Sequence, residues 1–534
     1  MRRNNKTIKK RMLILSSLLL LLGCRSTAGS PPQPQPEMKS YSLSNPQAKP
    51  VIIVLIDSLM DEPLIGAIQA GRAPALEYVY TRGQYFPRVV SSFPTMSVTI
   101  DSSLMTGSYA DQHRIPGLIW YSSPEKRMIF YGNGPKEALK LNQEQVFLDA
   151  VYRLNQQHLG KNIRTLHEEL ADKGKSSASI NGIIYRGRTN HVLKLPPLVA
   201  WVGKQLPEQL TVSGPALLSY AALAQLDPAN KMNARLWDKY GMNDLFSAHD
   251  AAYLIREHKL PDVTFVYFPG NDSPTHKKGP STLDGIANAD LALQSILNTF
   301  GSWEEALSSA TWIVMGDSGQ TQVQDDRRAA PVDLTSLLAP YRIAKLTRAM
   351  EDTDQIVLAV NERMAYIYVT DPRVSLSDVA GRLQQEEKLD LIAVKDKDNW
   401  NIHLKAGLGT TEFSYHPIGP YQDEYGQAWT ISGDPGVADI TLTGQQVSYG
   451  RYPDILARLN GAMHCQEGRF IVVTVKPGYE LHSESSPLHS GGAHGSLHEQ
   501  DSFVPLLIAG TASRPKTLRL VDMKEWILKL ADGE

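Results

Sequence analysis

Residues 51–57 read Val-Ile-Ile-Val-Leu-Ile-Asp, six apolar residues, most of them β-branched, followed by an acid. An apolar run without polar interruption is typical of a strand buried on both faces, as in a parallel sheet covered by helices. Further runs of this character occupy residues 263–268, 312–315 and 504–509. The sequence therefore predicts a mostly parallel sheet that begins at Val51.

Segments with helical periodicity separate these predicted strands. Apolar residues recur at helical spacing over 163–173 and 283–300, and alternating strands and helices favour an α/β sheet with helices on both sides. Residues 341–460 differ, because a strand–helix–strand pattern over 364–394 is followed by polar, turn-rich strands. We interpret 341–460 as a smaller α+β subdomain inserted into the main domain.

The composition is that of an ordinary globular protein. The 534 residues are 42% hydrophobic and 21% charged, with 39 Gly and 33 Pro, which excludes collagen-like, coiled-coil and mostly disordered chains. The formal net charge of −2 argues against a dedicated nucleic-acid-binding protein, which usually carries a basic excess. We therefore expect no nucleic-acid partner.

The N-terminus has the pattern of a signal peptide. Residues 1–11 contain basic residues and no acid, and residues 12–22 are mostly apolar. Such a short run cannot span a bilayer core of about 30 Å, whereas a basic segment before a short apolar one is typical of a secretory signal. We predict a signal peptide over 1–23.

The end of this segment, Leu-Leu-Gly-Cys24, resembles a bacterial lipobox, in which the cysteine is lipidated and becomes the new N-terminus. The alternative is a plain secretory signal with an incidental cysteine. Residues 24–50 are rich in Pro, Ser and Gln and predict a flexible tether. The expected location is extracytoplasmic, with the chain anchored to the bacterial cell membrane through a lipid on Cys24.

Acids follow three of the predicted strands, where ligands bind in open α/β sheets. These acids are Asp57, Asp272 and Asp317. His276 comes four residues after Asp272, so a helical turn would place both on one face, and His494 has neighbouring glycines that permit close approach. A single acid at a strand end is more often a cap or turn former. Carboxylates and imidazoles together are zinc-type ligands, however, and predict a metal site.

A Ser/Thr-rich stretch over 91–103 contains Pro94-Thr95-Met96-Ser97 and lies ahead of Thr106-Gly107. By itself, such a stretch also suits helix capping and solvation. Together with the strand-end acids, it resembles the alkaline phosphatase superfamily, closest to its type I phosphodiesterase/nucleotide pyrophosphatase branch. The other motifs that carry this resemblance are Tyr267…Asp272…His276…Gly279-Pro280, Asp317-Ser318-Gly319 and His494-Gly495.

The resemblance implies an alkaline-phosphatase-like fold, with a mostly parallel sheet between helices and an inserted smaller α+β subdomain. The catalytic domain would then comprise residues 51–340 and 461–534. The resemblance also implies a Ser or Thr nucleophile, at Ser97 with Thr95 as the runner-up, and two divalent ions, most commonly zinc. The implied ligands are Asp272, His276 and His494 for the first ion, and Asp57, Asp317 and the Ser97 oxygen for the second.

Two positions depart from the family pattern. Ser318 replaces a histidine that would bind the second ion, and Leu118 replaces an asparagine that would contact a phosphate oxygen. Gln320 or water could substitute as a ligand, and the second site could instead hold Mn²⁺ or Mg²⁺, which prefer oxygen ligands. Three further histidines near His494 in the sequence, His482, His489 and His498, are alternative candidate ligands, although we favour the interpretation that they are solvated loop residues.

The leading hypothesis is a metal-dependent phosphohydrolase that acts on a phosphate ester. One alternative is a degenerate member that binds metal or a phosphorylated ligand without turnover. Another is a phosphonate hydrolase or phosphoryl-group transferase of the same superfamily. A sulfatase is disfavoured, since its Cys/Ser-x-Pro-x-Arg element is absent around Ser97.

Overall fold

A computed structural model describes residues 48–132, 143–195, 206–232, 242–346, 348, 350–396, 401–484 and 486–534. The predicted signal peptide, Cys24 and the tether up to residue 47 lie outside the described residues. Within the described part of the chain, no helix combines the length and the hydropathy needed to cross a membrane.

Strands are numbered in chain order within the described residues. They are β1 Val51–Ile56, β2 Gln84–Val90, β3 Ile119–Ser122, β4 Arg127–Phe130, β5 Ser177–Ile180, β6 Thr189–Lys194, β7 Gln209–Gly214, β8 Leu217–Ser219, β9 Val263–Phe268, β10 Thr311–Gly316, β11 Thr321–Gln322, β12 Pro331–Asp333, β13 Ile356–Asn361, β14 Met364–Val369, β15 Leu389–Lys395, β16 Ile402–Ala406, β17 Phe413–Asp423, β18 Ala428–Gly433, β19 Ile440–Thr443, β20 Gln446–Tyr449, β21 Phe470–Val475, β22 Glu480–His482, β23 Gly492–Ala493 and β24 Phe503–Ala509.

The α-helices of the described residues are Asp61–Gln69, Pro74–Arg82, Ser97–Thr106, Ala110–His113, Gln143–Leu148, Leu166–Asp172, Asp244–Arg256, Asp272–Lys278, Asp284–Leu297, Trp303–Ser309, Leu334–Leu337, Leu376–Leu383, Ile455–Met463, Glu499–Ser502 and Met523–Asp532. A π-helix covers Asp149–His158, and 3-10 turns cover Ala221–Leu223, Pro435–Ala438 and Leu520–Asp522.

The main sheet has seven strands in the order β2-β24-β10-β1-β9-β5-β8. The five strands from β10 to β8 run parallel, which confirms the mostly parallel α/β fold. Every residue of β1 is buried. Its residues Val51, Ile53 and Leu55 belong to a core that also contains residues of helices Ser97–Thr106 and Met523–Asp532. These helices cover one face of the sheet.

Strand β24 runs antiparallel to both β10 and β2. The sequence predicts this strand from its apolar run as part of a parallel sheet. An apolar run indicates that a strand is buried, but it does not indicate the direction in which the strand runs. The reversal has a consequence for the site. Because β24 runs the opposite way, its N-terminal end lies at the carboxyl edge of β10, and the residues that precede Phe503 arrive at that edge.

The predicted helices are present and shorter than expected. The pattern over 163–173 forms Leu166–Asp172, because the Thr165 and Glu168 side chains cap its first turn in a reciprocal capping box. The pattern over 283–300 forms Asp284–Leu297. A buried stripe of this second helix includes Ile286, Leu293 and Ile296.

A second, nine-stranded sheet follows in the chain, with the order β13-β14-β21-β15-β16-β17-β20-β19 and with β18 paired to β17. The expected strand–helix–strand unit is β14, helix Leu376–Leu383 and β15. Strand β21 lies between β14 and β15, although it follows residue 460. The predicted domain boundaries therefore stay predictions. Most of the strand pairs in this sheet are antiparallel.

The helix Asp284–Leu297 allows a matched test of the core. Leu293 is fully buried, whereas Leu291 is 55% exposed. Leu293→Ala should lower the free energy of unfolding by about 2–5 kcal/mol, since it removes buried methyl groups and leaves a cavity. Leu291→Ala should change it by no more than about 0.5 kcal/mol. Urea denaturation measures both, and equal losses would contradict this packing.

Candidate metal centre

The carboxyl ends of three adjacent parallel strands bring the strand-end acids together. In the sheet, Ile56 is in register with Gly316 on one side and with Phe268 on the other. Asp57 and Asp317 therefore follow neighbouring strand ends directly, and Asp272 begins the helix Asp272–Lys278 shortly after β9. The sequence predicts the metal site at this edge of the sheet.

Ser58 connects these acids. Its backbone N–H donates to Asp317 Oδ1 at 2.8 Å, and its hydroxyl donates to Asp272 Oδ1 at 3.0 Å. The hydroxyl of Tyr267 donates to Asp57 Oδ2. These contacts fix the direction in which each carboxylate points.

The two candidate histidine ligands are oriented in the same way. His276 Nδ1 lies 2.8 Å from the carbonyl oxygen of Gly492, and His494 Nδ1 lies within hydrogen-bond distance of the carbonyl oxygen of Thr95. A carbonyl oxygen can only accept, so Nδ1 carries the proton in both rings and Nε2 faces the site. Outer hydrogen bonds of this kind are usual for metal-binding histidines.

The three ligand atoms of Asp272, His276 and His494 lie within 4.8 Å of one another. His276 Nε2 is 3.0 Å from Asp272 Oδ1, because helical spacing places the two residues on one face. His494 Nε2 is 3.9 Å from the same oxygen. Ligands of a tetrahedral zinc ion are separated by about 3.3–3.6 Å, so these residues fit one ion.

The electrostatics of the acids differ. Burial raises the pKa of Asp57 well above its ordinary value, and Asp317 and Asp272 add to this. Burial also raises the pKa of Asp317, although the Ser58 N–H opposes it. For Asp272, burial is outweighed by His276 and His494, which hold its pKa below the ordinary value.

The site holds more buried negative charge than its neighbours balance. Its buried carboxylates are Asp57, Asp101, Asp317 and Glu362, and the partly buried Asp272 lies with them; among the described residues none of the five pairs with Lys or Arg. Imidazole nitrogens lie within 4 Å of Asp272 and Glu362. Unpaired buried charge is costly, so such a cluster attracts protons or metal cations.

Ser97 and Thr95 occupy different environments. Ser97 is the first residue of helix Ser97–Thr106, is partly exposed, and is close enough to Asp317 to lower the pKa of that carboxyl group. Thr95 is fully buried, and its hydroxyl accepts a hydrogen bond from the Gly495 N–H at 2.7 Å. The geometry leaves the Ser97 hydroxyl accessible and uses Thr95 to hold the loop of His494.

The two residues considered for the second ion contribute little as placed. Ser318 is fully buried, and its hydroxyl has no hydrogen-bond partner among the described residues. Gln320 directs its amide nitrogen to Asp272 Oδ1 at 2.9 Å and to the Ser58 hydroxyl at 2.8 Å. Gln320 is thus a hydrogen-bond donor to a candidate ligand. At the other departure, Leu118 is partly buried and packs against the hydrophobic core.

Sequence reasoning missed Glu362 and misjudged His489. Glu362 lies in the turn between β13 and β14, and only 3% of its side chain is exposed. His489 hydrogen-bonds Glu480 at 3.0 Å and stacks on His276 with a ring separation of 4.3 Å. The solvated-loop interpretation is therefore wrong for His489.

That interpretation is also wrong for His498, which is buried and caps helix Glu499–Ser502. His482 is only partly buried, at the end of β22. The residues around Glu362 read Asn-Glu-Arg, an ordinary polar turn. No local signal marks Glu362 as part of a site.

The family model of type I phosphodiesterase/nucleotide pyrophosphatase matches residues 51–496. The chain belongs to this family, and it is accordingly a hydrolase that acts on phosphoric ester bonds. Enzymes of the family are typically metal-dependent, and the structure contains residue groups that could hold metal. No curated protein matches the chain.

Solved structures share the fold over most of the chain. An inactive variant of murine ectonucleotide pyrophosphatase/phosphodiesterase 5, in complex with AMP, is 14% identical with a TM-score of 0.53, and the match covers 91% of this chain and 95% of that chain. Phosphonoacetate hydrolase from Sinorhizobium meliloti 1021, in complex with phosphonoformate, is 16% identical with a TM-score of 0.51, and the coverage is 91% and 96%. At these identities the likeness concerns the fold alone.

Proposed function

We propose that this protein is a metal-dependent phosphodiesterase that uses two divalent ions and Ser97 as the nucleophile. The observation that carries the proposal is the convergence of Asp272 with two imidazoles whose Nε2 atoms are directed to it. This donor set suits zinc. The unbalanced negative charge around it provides the attraction for a cation.

The first ion would be held by Asp272, His276 and His494. The second would be held by Asp57, Asp317 and the Ser97 oxygen, a set of oxygen donors that also suits Mn²⁺ or Mg²⁺. A divalent ion next to Ser97 would lower the pKa of its hydroxyl and stabilise the charge on the phosphoryl oxygens.

Residues of the chain itself prepare the nucleophile. Ser97 lies at the N-terminus of a helix, where unpaired backbone N–H groups and the helix dipole favour an anionic phosphoryl group. Met96 precedes it in extended conformation, so the Ser97 side chain is placed at the start of the helix. Asp317, close to the hydroxyl, is positioned to attract its proton or the ion that replaces it.

The proposal includes a membrane anchor at the N-terminus, which lies outside the described residues. The lipobox-like sequence that ends at Cys24 supports a lipid anchor in the bacterial cell membrane and an extracytoplasmic location. The substrate would then be a phosphate ester encountered at the cell surface.

Ser97→Ala should abolish turnover of bis-(4-nitrophenyl) phosphate, with a loss of about 10⁴-fold or more, because the attacking oxygen is removed. Thr95→Val should retain more activity and lose more stability, since it leaves the buried Gly495 N–H unpaired. Release of nitrophenol and urea denaturation report the two effects. The reverse ranking in activity would assign the nucleophile to Thr95.

Parallel assays with 4-nitrophenyl phosphate and phosphonoacetate separate the alternatives. Faster turnover of the monoester or the phosphonate would favour those substrate classes. Metal binding without turnover of any of the three would favour the degenerate member.

His276→Ala and His494→Ala should each lower bound zinc in purified protein and also lower the melting temperature, since metal binding contributes to folding free energy. Elemental analysis measures the metal. His258→Ala serves as a control outside the site. Zinc content equal to wild type in both site variants would refute the first metal position.

Ser318→His should raise the occupancy of the second site by zinc, since imidazole is a better zinc ligand than a neutral hydroxyl. The wild-type chain should retain one tightly bound ion and gain activity from added Mn²⁺ or Mg²⁺. Titration with zinc after dialysis counts the sites. Two tightly bound zinc ions in the wild type, unaffected by Asp57→Asn or Asp317→Asn, would contradict this assignment.

A further inference from the structure

We propose that Glu362 is a fourth protein ligand of the first ion, supplied to the site by the β13–β14 turn of the second sheet. The inference rests on the first metal position of the proposed function, and it adds to that position a residue that its motifs do not contain. It makes the second sheet part of the metal site.

The carboxylate of Glu362 faces both candidate imidazoles. Its Oε1 lies 3.7 Å from His276 Nε2, and its Oε2 lies 3.9 Å from His494 Nε2. The corresponding distances from Asp272 Oδ1 to these nitrogens are 3.0 and 3.9 Å. These values scatter around the ligand separation of a tetrahedral zinc ion, about 3.3–3.6 Å, and Glu362 faces the two nitrogens with different oxygens, so it would bind one ion through both. The two carboxylates thus flank the same pair of nitrogens.

The orientation of the imidazoles suits a cation between these groups. In both rings Nδ1 donates to a backbone carbonyl oxygen, so in the neutral ring Nε2 directs a lone pair at Asp272 and at Glu362. With both rings neutral, two lone pairs and two carboxylates face one another and repel, and either protons on the Nε2 atoms or a divalent ion would relieve this repulsion. Within the described residues no Lys or Arg forms an ion pair with Glu362, and a divalent ion would satisfy all four donors.

The turn that carries Glu362 is held firmly. Asn361 on one side accepts from the Ile119 N–H at 3.1 Å and donates to the Ile119 carbonyl oxygen at 2.9 Å. Arg363 on the other side is fully buried in an ion pair with Asp501. The turn therefore cannot withdraw Glu362 from the site without breaking buried contacts.

Glu362 itself has a backbone conformation that is uncommon for a residue with a side chain. Its φ is 57°, in the left-handed region that glycine and asparagine favour. Such strain persists where the surrounding structure imposes it, and it concentrates at functional sites. The carboxylate also accepts a hydrogen bond from the backbone N–H of His494 at 3.0 Å. This bond connects Glu362 to a candidate ligand.

His489 is assigned a positioning role. Its Nδ1 lies 3.0 Å from Glu480 Oε2, and its Nε2 lies 3.8 Å from Glu362 Oε1. It thus lies between Glu480 and Glu362 and stacks on His276. The group His276, Glu362 and His489 is a competing position for the ion, which the experiment below distinguishes.

The test compares zinc affinity in Glu362→Gln and Glu480→Gln, measured by competition with a chelator. Both residues are buried glutamates near His489, but only Glu362 faces His276 and His494. Loss of an outer-shell partner costs about 10- to 100-fold in metal affinity. Glu362→Gln should therefore lose more than about 100-fold, and Glu480→Gln should lose less. The rise in melting temperature on adding zinc should shrink more in Glu362→Gln than in Glu480→Gln.

Cobalt-substituted protein gives a readout that does not depend on affinity. Its visible absorption should change in Glu362→Gln, because a ligand is lost, and should stay as in the wild type in Glu480→Gln. If Glu362→Gln does not fold, Glu362→Asp keeps the charge and withdraws the carboxylate by one methylene group. It should then show the same spectral change and a weaker affinity.

Wild-type zinc affinity in Glu362→Gln would overturn the inference, as would equal lowering of the melting temperature with and without zinc. The first site would still stand if His276→Ala lost its metal, so the two failures are distinguishable. A large loss in His489→Gln together with none in Asp272→Asn would place the ion at the competing position and would also overturn the four-ligand assignment.

Discussion

Asp57 and Asp317 follow two parallel strands that lie in register, so their carboxyl groups are held side by side in a buried site. Backbone hydrogen bonds between β1 and β10 enforce this proximity, and charge repulsion cannot relieve it without disrupting the centre of the sheet. The surrounding contacts compensate. Ser58 and Tyr267 donate hydrogen bonds to the acids, and imidazoles approach Asp272. A bound divalent cation, as proposed, would balance the remaining negative charge.

The remaining donors arrive through the topology of the chain. His494 reaches the carboxyl edge because β24 is antiparallel and is entered from that edge. Glu362 reaches it because the β13–β14 turn is anchored to Ile119 on one side and to Asp501 on the other. Both sheets therefore contribute to one site. In the proposed metal centre, the second sheet would contribute a ligand as well as extend the structure.

Much of the fold could be predicted from the sequence, since burial leaves a strong local pattern. β1, β9 and β14 have the predicted bounds, and the acids that follow strands lie at the carboxyl edge. The direction of β24 could not be predicted, because an apolar run is the same in either direction. Glu362 and His489 could not be predicted either. Their roles arise from distant contacts with His276, and the polar turn and the loop that contain them look like solvated segments.

At the two proposed metal positions, different residues would attract a cation and determine which metal is preferred. Carboxylates provide the attraction for a cation, and their placement follows from strand register, which a single substitution in a loop leaves intact. Selectivity comes from the other donors, which lie on loops and turns and can change independently. At position 318 a hydroxyl group stands where the resemblance implies an imidazole, so the proposed second position would keep its carboxylates and lose a ligand that favours zinc. At the first position, both imidazoles remain and are fixed through their Nδ1 atoms. Under the proposed two-ion assignment, a substitution at position 318 would therefore alter the preference of the second position and leave the donors of the first position in place.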